Sequence, residues 1–294
     1  MLRKKISGLD IIIFIILMLL TLICLVPILN TVAISLSDKT SAGLGKVFIW
    51  PINFTTAPYV EILKDGQFFR SFLNSVLRIV LGGVINVVLC IMMAYPLSKD
   101  SSVFRAKNIY LWFIIFTMLF NGGLVPNFLL VKNLGLIDHI WALVLPGAVQ
   151  VFSIIILMNY FRTLPPSLEE AAQMDGANPF YILWKILIPL AKPSIAVITL
   201  FSVVNHWNSF FDGLIYINSP AKVPLQTYIQ SINASVDYQN INSLSPEELL
   251  RRMELSSLTF NSAKIIVSMI PIIIMYPLLQ RYFLSGMIMG AVKE

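Results

Sequence analysis

Residues 11–34 read IIIFIILMLLTLICLVPILNTVAI, an apolar run without one charged side chain. About 20 helical residues cover the hydrocarbon core of a bilayer, and a helix that is apolar on every face is built for lipid or a deep core. Further runs of spanning length follow at roughly 73–97, 109–130, 140–161, 194–217 and 264–284. Backbone polar groups cannot be left unpaired in lipid, and runs of this length are too long for barrel strands. The sequence therefore predicts an all-α membrane protein, a single domain over 1–294 with spans at about 11–34, 73–97, 109–130, 140–161, 194–217 and 264–284.

Composition agrees, with 57% of residues apolar and only 12% charged. Mean hydropathy is +0.81, well outside the soluble range. The net charge of +6 does not point to nucleic acid, because the cations sit in short segments between apolar runs. The 98–108 link carries Lys99, Arg105 and Lys107, whereas the 131–139 link carries only Lys132. With Arg3, Lys4 and Lys5, this bias places both termini and the 98–108 and 162–193 links in the cytoplasm. The first run exceeds the ~7–15 residues of a signal-peptide core and lacks a small-x-small cleavage site, so it reads as an uncleaved span. Cys24 and Cys90 lie inside apolar runs and read as small buried hydrophobes.

Two features complicate the spans. Asn121-Gly122-Gly123 and Pro126 interrupt the third run, which is either a broken helix or a span that ends early and re-enters. In the outer segment 218–263, Ser245-Pro246-Glu247-Glu248 has the form of a capping box and predicts a short amphipathic helix outside the membrane.

One polar interruption is unusually well punctuated, PSLEEAAQMDGANPFYILWKILIPLAKP from Pro166 to Pro193. Ser167 and Glu170 have capping-box spacing, and Pro166 stops any arriving helix. A short helix from Leu168 to Asp175 should end on Gly176, where a left-handed residue is common. Asn178-Pro179 then starts a second helix that runs to Pro189. The segment 165–190 is thus helix, glycine turn, helix. Its first helix carries Glu169, Glu170 and Asp175 with the small Ala171 and Ala172, a compact acidic knob suited to a groove containing cations.

Chemistry-bearing motifs are scarce. "GLGK" at 43–46 lacks the remaining positions of a phosphate-binding loop, and no metalloprotease, paired-cysteine or nucleophile-elbow pattern occurs. His139 and His206 are too few for a histidine metal site, so no catalytic or metal residue is assigned. In the fifth run Asn205, Asn208, Ser209 and Asp212 recur at i, i+3, i+4 and i+7, one face of a helix, with Trp207, Phe210, Phe211 and Tyr216 around them. Such a stripe either lines a solute pathway or bonds neighbouring helices. Arg78 and Asn86 share a face of the second run; Arg78 lies near enough to its end to snorkel.

Glu170-Ala171-Ala172, Asp175-Gly176-Ala177 and Ile188-Pro189-Leu190 together resemble the EAA signature of bacterial ABC importer permeases. GGLVPNFLLVKNLGL, WNSFFDGLIYI, PLQTYI and the terminal GMIMGAVKE are similar to the carbohydrate-uptake, maltose-type branch, and especially to its oligosaccharide subgroup. Gly213 departs from that pattern, where many maltose-type relatives carry proline. The resemblance implies a six-helix permease in the bacterial plasma membrane, not an enzyme, importing an oligosaccharide. It implies a second homologous permease, a cytoplasmic ABC ATPase dimer that binds ATP and Mg, an extracellular solute-binding protein, and surrounding membrane lipid. By that resemblance Glu169, Glu170, Ala171, Ala172, Asp175, Gly176 and Ala177 form a coupling helix seated in the ATPase, with Lys293 nearby, and the fifth span contributes to the sugar cavity. A permease for a non-sugar solute and an ion-coupled secondary transporter are the alternatives; the latter should place acidic or histidine residues deep in several spans. A membrane-embedded enzyme would need a nucleophile with a base, or a metal set.

Overall fold

The computed structural model describes residues 8–234 and 258–291. No strand occurs among them. In chain order the helices are α1 (Gly8–Ser35), α2 (Lys39–Gly43), α3 (Ala57–Lys64), α4 (Gly66–Ser98), α5 (Lys107–Leu119), α6 (Leu124–Asn133) and α7 (Trp141–Val144). They continue with α8 (Val151–Thr163), α9 (Ser167–Met174), α10 (Pro179–Leu190), α11 (Lys192–Asn208), α12 (Phe211–Tyr216), α13 (Leu225–Ala234) and α14 (Leu258–Ala291). The 245–252 segment and Lys293 lie outside the described residues.

Among those residues, α1, α4 and the Leu258–Pro277 part of α14 are each long and apolar enough to cross a membrane alone. Three further candidates are bent pairs: α5 with α6 at 111°, α8 with α9 at 75°, and α10 with α11 at 83°. The Asn121–Gly123 interruption is thus a sharp bend, with Asn121 Oδ1 accepting from the Gly123 N–H at 2.9 Å. Two of the expected runs are discontinuous as helices. The 140–161 run is not one helix, because Pro146 and Gly147 separate α7 from α8. The 194–217 run breaks at Ser209–Phe210 between α11 and α12. Apolar runs report solubility in lipid, whereas helix continuity depends on whether the freed backbone groups find partners elsewhere.

Contacts gather the described residues into two compact units, one drawn from 1–68 and 229–270, the other from 69–228 and 271–294. In the first, Asn30 Nδ2 donates to the Val47 and Phe48 carbonyls at 3.2 and 2.7 Å. Asp38 caps α2 by accepting from the Ser41 N–H at 3.0 Å. Lys264, at the start of the 264–284 run, is fully buried, with its ammonium 4.0 Å from the Phe260 ring centroid and 3.6 Å from the Asp65 carboxylate. Asp65 also accepts the Gln67 and Phe68 N–H groups that open α4. The most apolar stretch of α1 is entirely exposed, a surface for lipid or another chain.

In the second unit the core is built from α4, α8, α10 and α11, with Cys90, Ala94, Ile154, Leu157, Ile182, Leu187 and Ile198 at its centre. Its polar groups serve the breaks. Asn86, fully buried on α4, donates to the Gly147 and Ala148 carbonyls at 3.3 and 2.8 Å, pairing acceptors freed between α7 and α8. Ser75 Oγ accepts the Leu225 N–H that opens α13 at 2.8 Å. Asn74 donates to the Ala221 and Val223 carbonyls. One face of α4 thus satisfies backbone that broken helices leave open.

Candidate functional site

The second unit brings three groups of sequence-predicted residues into view. The first is α9. Its eight residues begin directly after Pro165-Pro166, and its first N–H groups turn back onto the Pro165 and Pro166 carbonyls. The expected capping box does not form: Ser167 is the first helical residue, not the cap, and no side chain caps this end. A proline at the N-cap position already restricts the backbone and supplies the carbonyl, so the serine hydroxyl has no role there. At the other end the Gly176 N–H bonds the Gln173 carbonyl at 3.0 Å and the Ala177 N–H bonds the Ala172 carbonyl at 2.9 Å. Gly176 has φ +78°, the left-handed conformation that glycine adopts without steric cost. Asn178 Oδ1 then accepts from the Tyr181 N–H at 2.8 Å, the N-cap expected for α10. The residues Ile182–Leu187 of α10 are π-helical, which the sequence does not signal.

The acidic residues of α9 face different ways. Glu169 pairs with Lys99, just beyond the end of α4, and both side chains are largely covered. Glu170, Ala171, Gln173, Met174 and Asp175 are exposed, while Ala172 is buried in the core cluster that also holds Ile182, Leu183 and Leu187 of α10. Phe180, Tyr181 and Trp184 continue the exposed surface along α10. The outcome is a short, tightly closed helix presenting small, acidic and apolar groups outward.

The second group is the predicted stripe of the fifth run. It is not one helix face, because α11 ends at Asn208 and Ser209 is extended, with φ −70° and ψ 124°. Arg78 reaches across from α4 and holds this break. Its Nη1 donates to the Ser209 carbonyl at 3.2 Å and to Asp212 Oδ1 at 3.2 Å, and its Nη2 pairs with Asp212 Oδ2. Asp212 Oδ1 further accepts from the Ser209 hydroxyl and the Gly213 N–H, both at 2.9 Å. Arg78 therefore does not snorkel; it is 3% exposed and neutralised inside the unit. A two-donor guanidinium fork matches a carboxylate, which an isolated lysine would not do as well. Thr227 Oγ1 donates to the Phe210 carbonyl at 2.8 Å. The same hydroxyl lies where a Cβ on residue 213 would stand, 2.1 Å away, so glycine is required by close approach.

Trp207 and Tyr216, expected beside a pathway, are buried among the chain's own helices. Trp207 meets Phe72 edge to face at 5.7 Å, and Tyr216 stacks on Phe128 at 6.3 Å. Their large rings fill the interior that the helix break leaves, so packing claims them. His206 is also buried. Asn205 and Asn208 remain exposed.

The third group was not legible from spacing. An open groove of about 450 Å³ runs between α5, α8 and α11, lined by Met118, Gln150, Val151, Phe152, Ser153, Phe201 and Asn205. The Phe152 and Phe201 rings lie 6.2 Å apart. Ser153 Oγ donates to Gln150 Oε1 at 3.1 Å, so the Gln150 amide is held in place. No charged side chain lines this groove.

Broken lipid-length helices, internally neutralised charges and an exposed helical knob define a polytopic helical membrane component. Residues 66–289 match the family model of the binding-protein-dependent transport system inner membrane component. The chain belongs to that family, and it is a multi-pass plasma-membrane permease component. It is 36% identical over 289 residues to the polygalacturonan/rhamnogalacturonan transport system permease protein YtcP of Bacillus subtilis (strain 168), covering 97% of this chain and 98% of that protein. It is also 36% identical over 277 residues to protein LplC of the same organism, covering 92% and 90% respectively. Among solved structures, a chain of a bacterial ABC transporter involved in the import of the acidic polysaccharide alginate matches with a TM-score of 0.83 and 34% identity, over 96% of this chain and 99% of that one.

Proposed function

We propose that the chain is a permease subunit of an ATP-driven importer for an oligosaccharide. The observation that carries this reading is its near full-length similarity to a permease whose name specifies polygalacturonan and rhamnogalacturonan transport. The 34%-identical alginate-importer chain supports the same substrate class. ATP and Mg would be bound by a separate cytoplasmic ATPase dimer, with α9 as the element that contacts it. The exposed Glu170, Ala171, Asp175 and Gly176 and the aromatic surface of α10 form the contact; Ala172 and Ala177 hold the helix to its own bundle. Lys99, Arg105 and Lys107 lie in a link tied to α9 by the Lys99–Glu169 pair, which supports a cytoplasmic side for this end of the bundle; the Arg3, Lys4 and Lys5 cluster supports the same side for the termini. The tail with Lys293 would approach the ATPase on the same side. The family's defining binding protein would deliver substrate from outside, and a second homologous permease would complete the pathway, with lipid around both.

The sugar would pass along the exposed side of α11. Phe152 and Phe201 offer ring faces for pyranose C–H surfaces, and Gln150, Ser153, Asn205 and Asn208 offer hydrogen-bonding groups. Ser209 and Asp212 shape this surface by fixing the break instead of touching solute. Asp212 is neutralised by Arg78, which argues against an ion-coupled carrier needing a free carboxylate there. The test is uptake of labelled oligogalacturonides by cells lacking this chain. Uptake should fall to background, return with the plasmid-borne gene, and vanish on ATP depletion. Unchanged uptake without the chain, or uptake abolished by an ionophore while ATP is maintained, would overturn the reading.

A further inference from the structure

The junction between α9 and α4 has a construction that contact with an ATPase does not explain. α9 is joined to its neighbours by two bends, Leu164–Pro166 on one side and the left-handed Gly176 on the other. Ala172 is its single buried residue, so little apolar surface fixes it. Against this, Glu169 turns inward to Lys99, away from the outward-facing Glu170. Lys99 is itself braced. Its ammonium sits 4.2 Å from the Tyr95 ring centroid, and its carbonyl accepts from Lys107 Nζ at 2.5 Å. Arg162, at the end of α8, donates to the Leu97 carbonyl at 3.1 Å, and Tyr95 packs edge to face on Phe161. From this braced end α4 runs unbroken to Arg78, roughly 30 Å away at 1.5 Å per residue, where it grips the break between α11 and α12.

We propose that Lys99 is a positioning residue whose ion pair with Glu169 makes α9 and α4 one mechanical unit, so that displacement of α9 reaches the Ser209–Asp212 break through Arg78. Without the pair, the two bends flanking α9 absorb the displacement. The inference rests on the reading of α9 as the ATPase-facing element. An ion pair largely shielded from solvent suits this task, because its strength depends on direction more than an apolar contact does. One helix engaged at both ends also needs no chain of small side-chain shifts between two sites.

The test uses the complete importer in proteoliposomes, with its second permease, ATPase and binding protein. Lys99→Glu should leave the ATPase co-purifying and basal ATP hydrolysis intact. Stimulation of hydrolysis by substrate-loaded binding protein should fall about tenfold. The exchange Lys99→Glu with Glu169→Lys should restore at least half of that stimulation, which a general packing defect would not allow. Lys99→Gln, free of introduced repulsion, should show an intermediate loss and covers the case in which Lys99→Glu fails to assemble. Stimulation in Lys99→Gln within about twofold of the unaltered complex, or an exchange variant no better than Lys99→Glu, would overturn the strut. Loss of ATPase binding is a different failure, read separately from Glu170 variants, and bears on α9 as the contact itself.

Discussion

Arg78 shows how one side chain decides a local fold. Breaking a buried ion pair by removing one partner costs on the order of 3–5 kcal/mol, whereas replacing both partners by apolar groups costs far less, because no uncompensated charge remains. Asp212 is partly exposed, so the lower end of that range applies. Arg78→Ala and Asp212→Ala should therefore each reduce the yield of assembled complex and its melting temperature in detergent, and the pair Arg78→Met with Asp212→Leu should recover part of both. Equal loss in single and double variants would show that the charge pair is not what holds the break. Asn208→Ala, on the exposed side of α11, should instead lower sugar uptake with assembly unchanged. Asp138 makes the complementary case outside the spans. Its N–H donates to the Tyr216 carbonyl at 2.8 Å, and its carboxylate accepts from the Ser219 hydroxyl and from Lys222 at 2.9 Å. The Ser219 and Asn218 N–H groups complete the set. The Ser219 hydroxyl first, then Lys222 and the backbone donors, hold this carboxyl well below the usual carboxylate range. A depressed folded value means that the stabilisation is fully present above the unfolded value of about 4 and is lost only as pH falls through the folded one. The melting-temperature gap between the native chain and Asp138→Asn should thus be constant from about pH 5 to 8 and shrink below about pH 4. A gap that already narrows between pH 7 and 5 would contradict this assignment.

At the scale of elements, α9 separates two jobs that one motif suggested were joined. A capping role for Glu170 is removed by the structure, since Ser167 is the first helical residue and Pro165-Pro166 supply the turn. What remains for Glu170 is its outward charge. Glu170→Gln should accordingly behave like Glu170→Ala, weakening ATPase retention on purification, and should leave the helix intact. If the glutamine variant instead retains ATPase like the native chain, charge recognition is not the function of this residue. Gly176 contributes through its backbone: the space around its α-carbon is open, but φ +78° penalises most side chains by about 1–2 kcal/mol. Gly176→Asn, which tolerates that conformation, should retain more ATPase than Gly176→Leu.

For the whole molecule, the class was legible in runs such as 11–34, because spanning lipid requires about 20 apolar residues whatever they pack against. The turn at Gly176 and the cap at Asn178 were legible for the same reason: their chemistry is local and completed within a few residues. The bend at Asn121–Gly123 was marked by its residues, although its angle was not. By contrast, Pro146-Gly147 marks a break locally but not the Asn86 side chain that serves it, and the break at Ser209 looks like an ordinary span until Arg78 is placed beside it. A helix can stop inside a membrane protein where other groups take up its open carbonyls, and at these two breaks the donors lie 61 and 131 residues away in the chain. The same distance hid the inward turn of Glu169 toward Lys99, 70 residues apart, and the burial of Trp207 and Tyr216. Membrane residence and a closed helical knob follow from runs and caps that are read along the chain. Which polar residues turn inward to hold broken helices and which stay exposed is set by packing, because it depends on what the rest of the chain brings within a few ångströms.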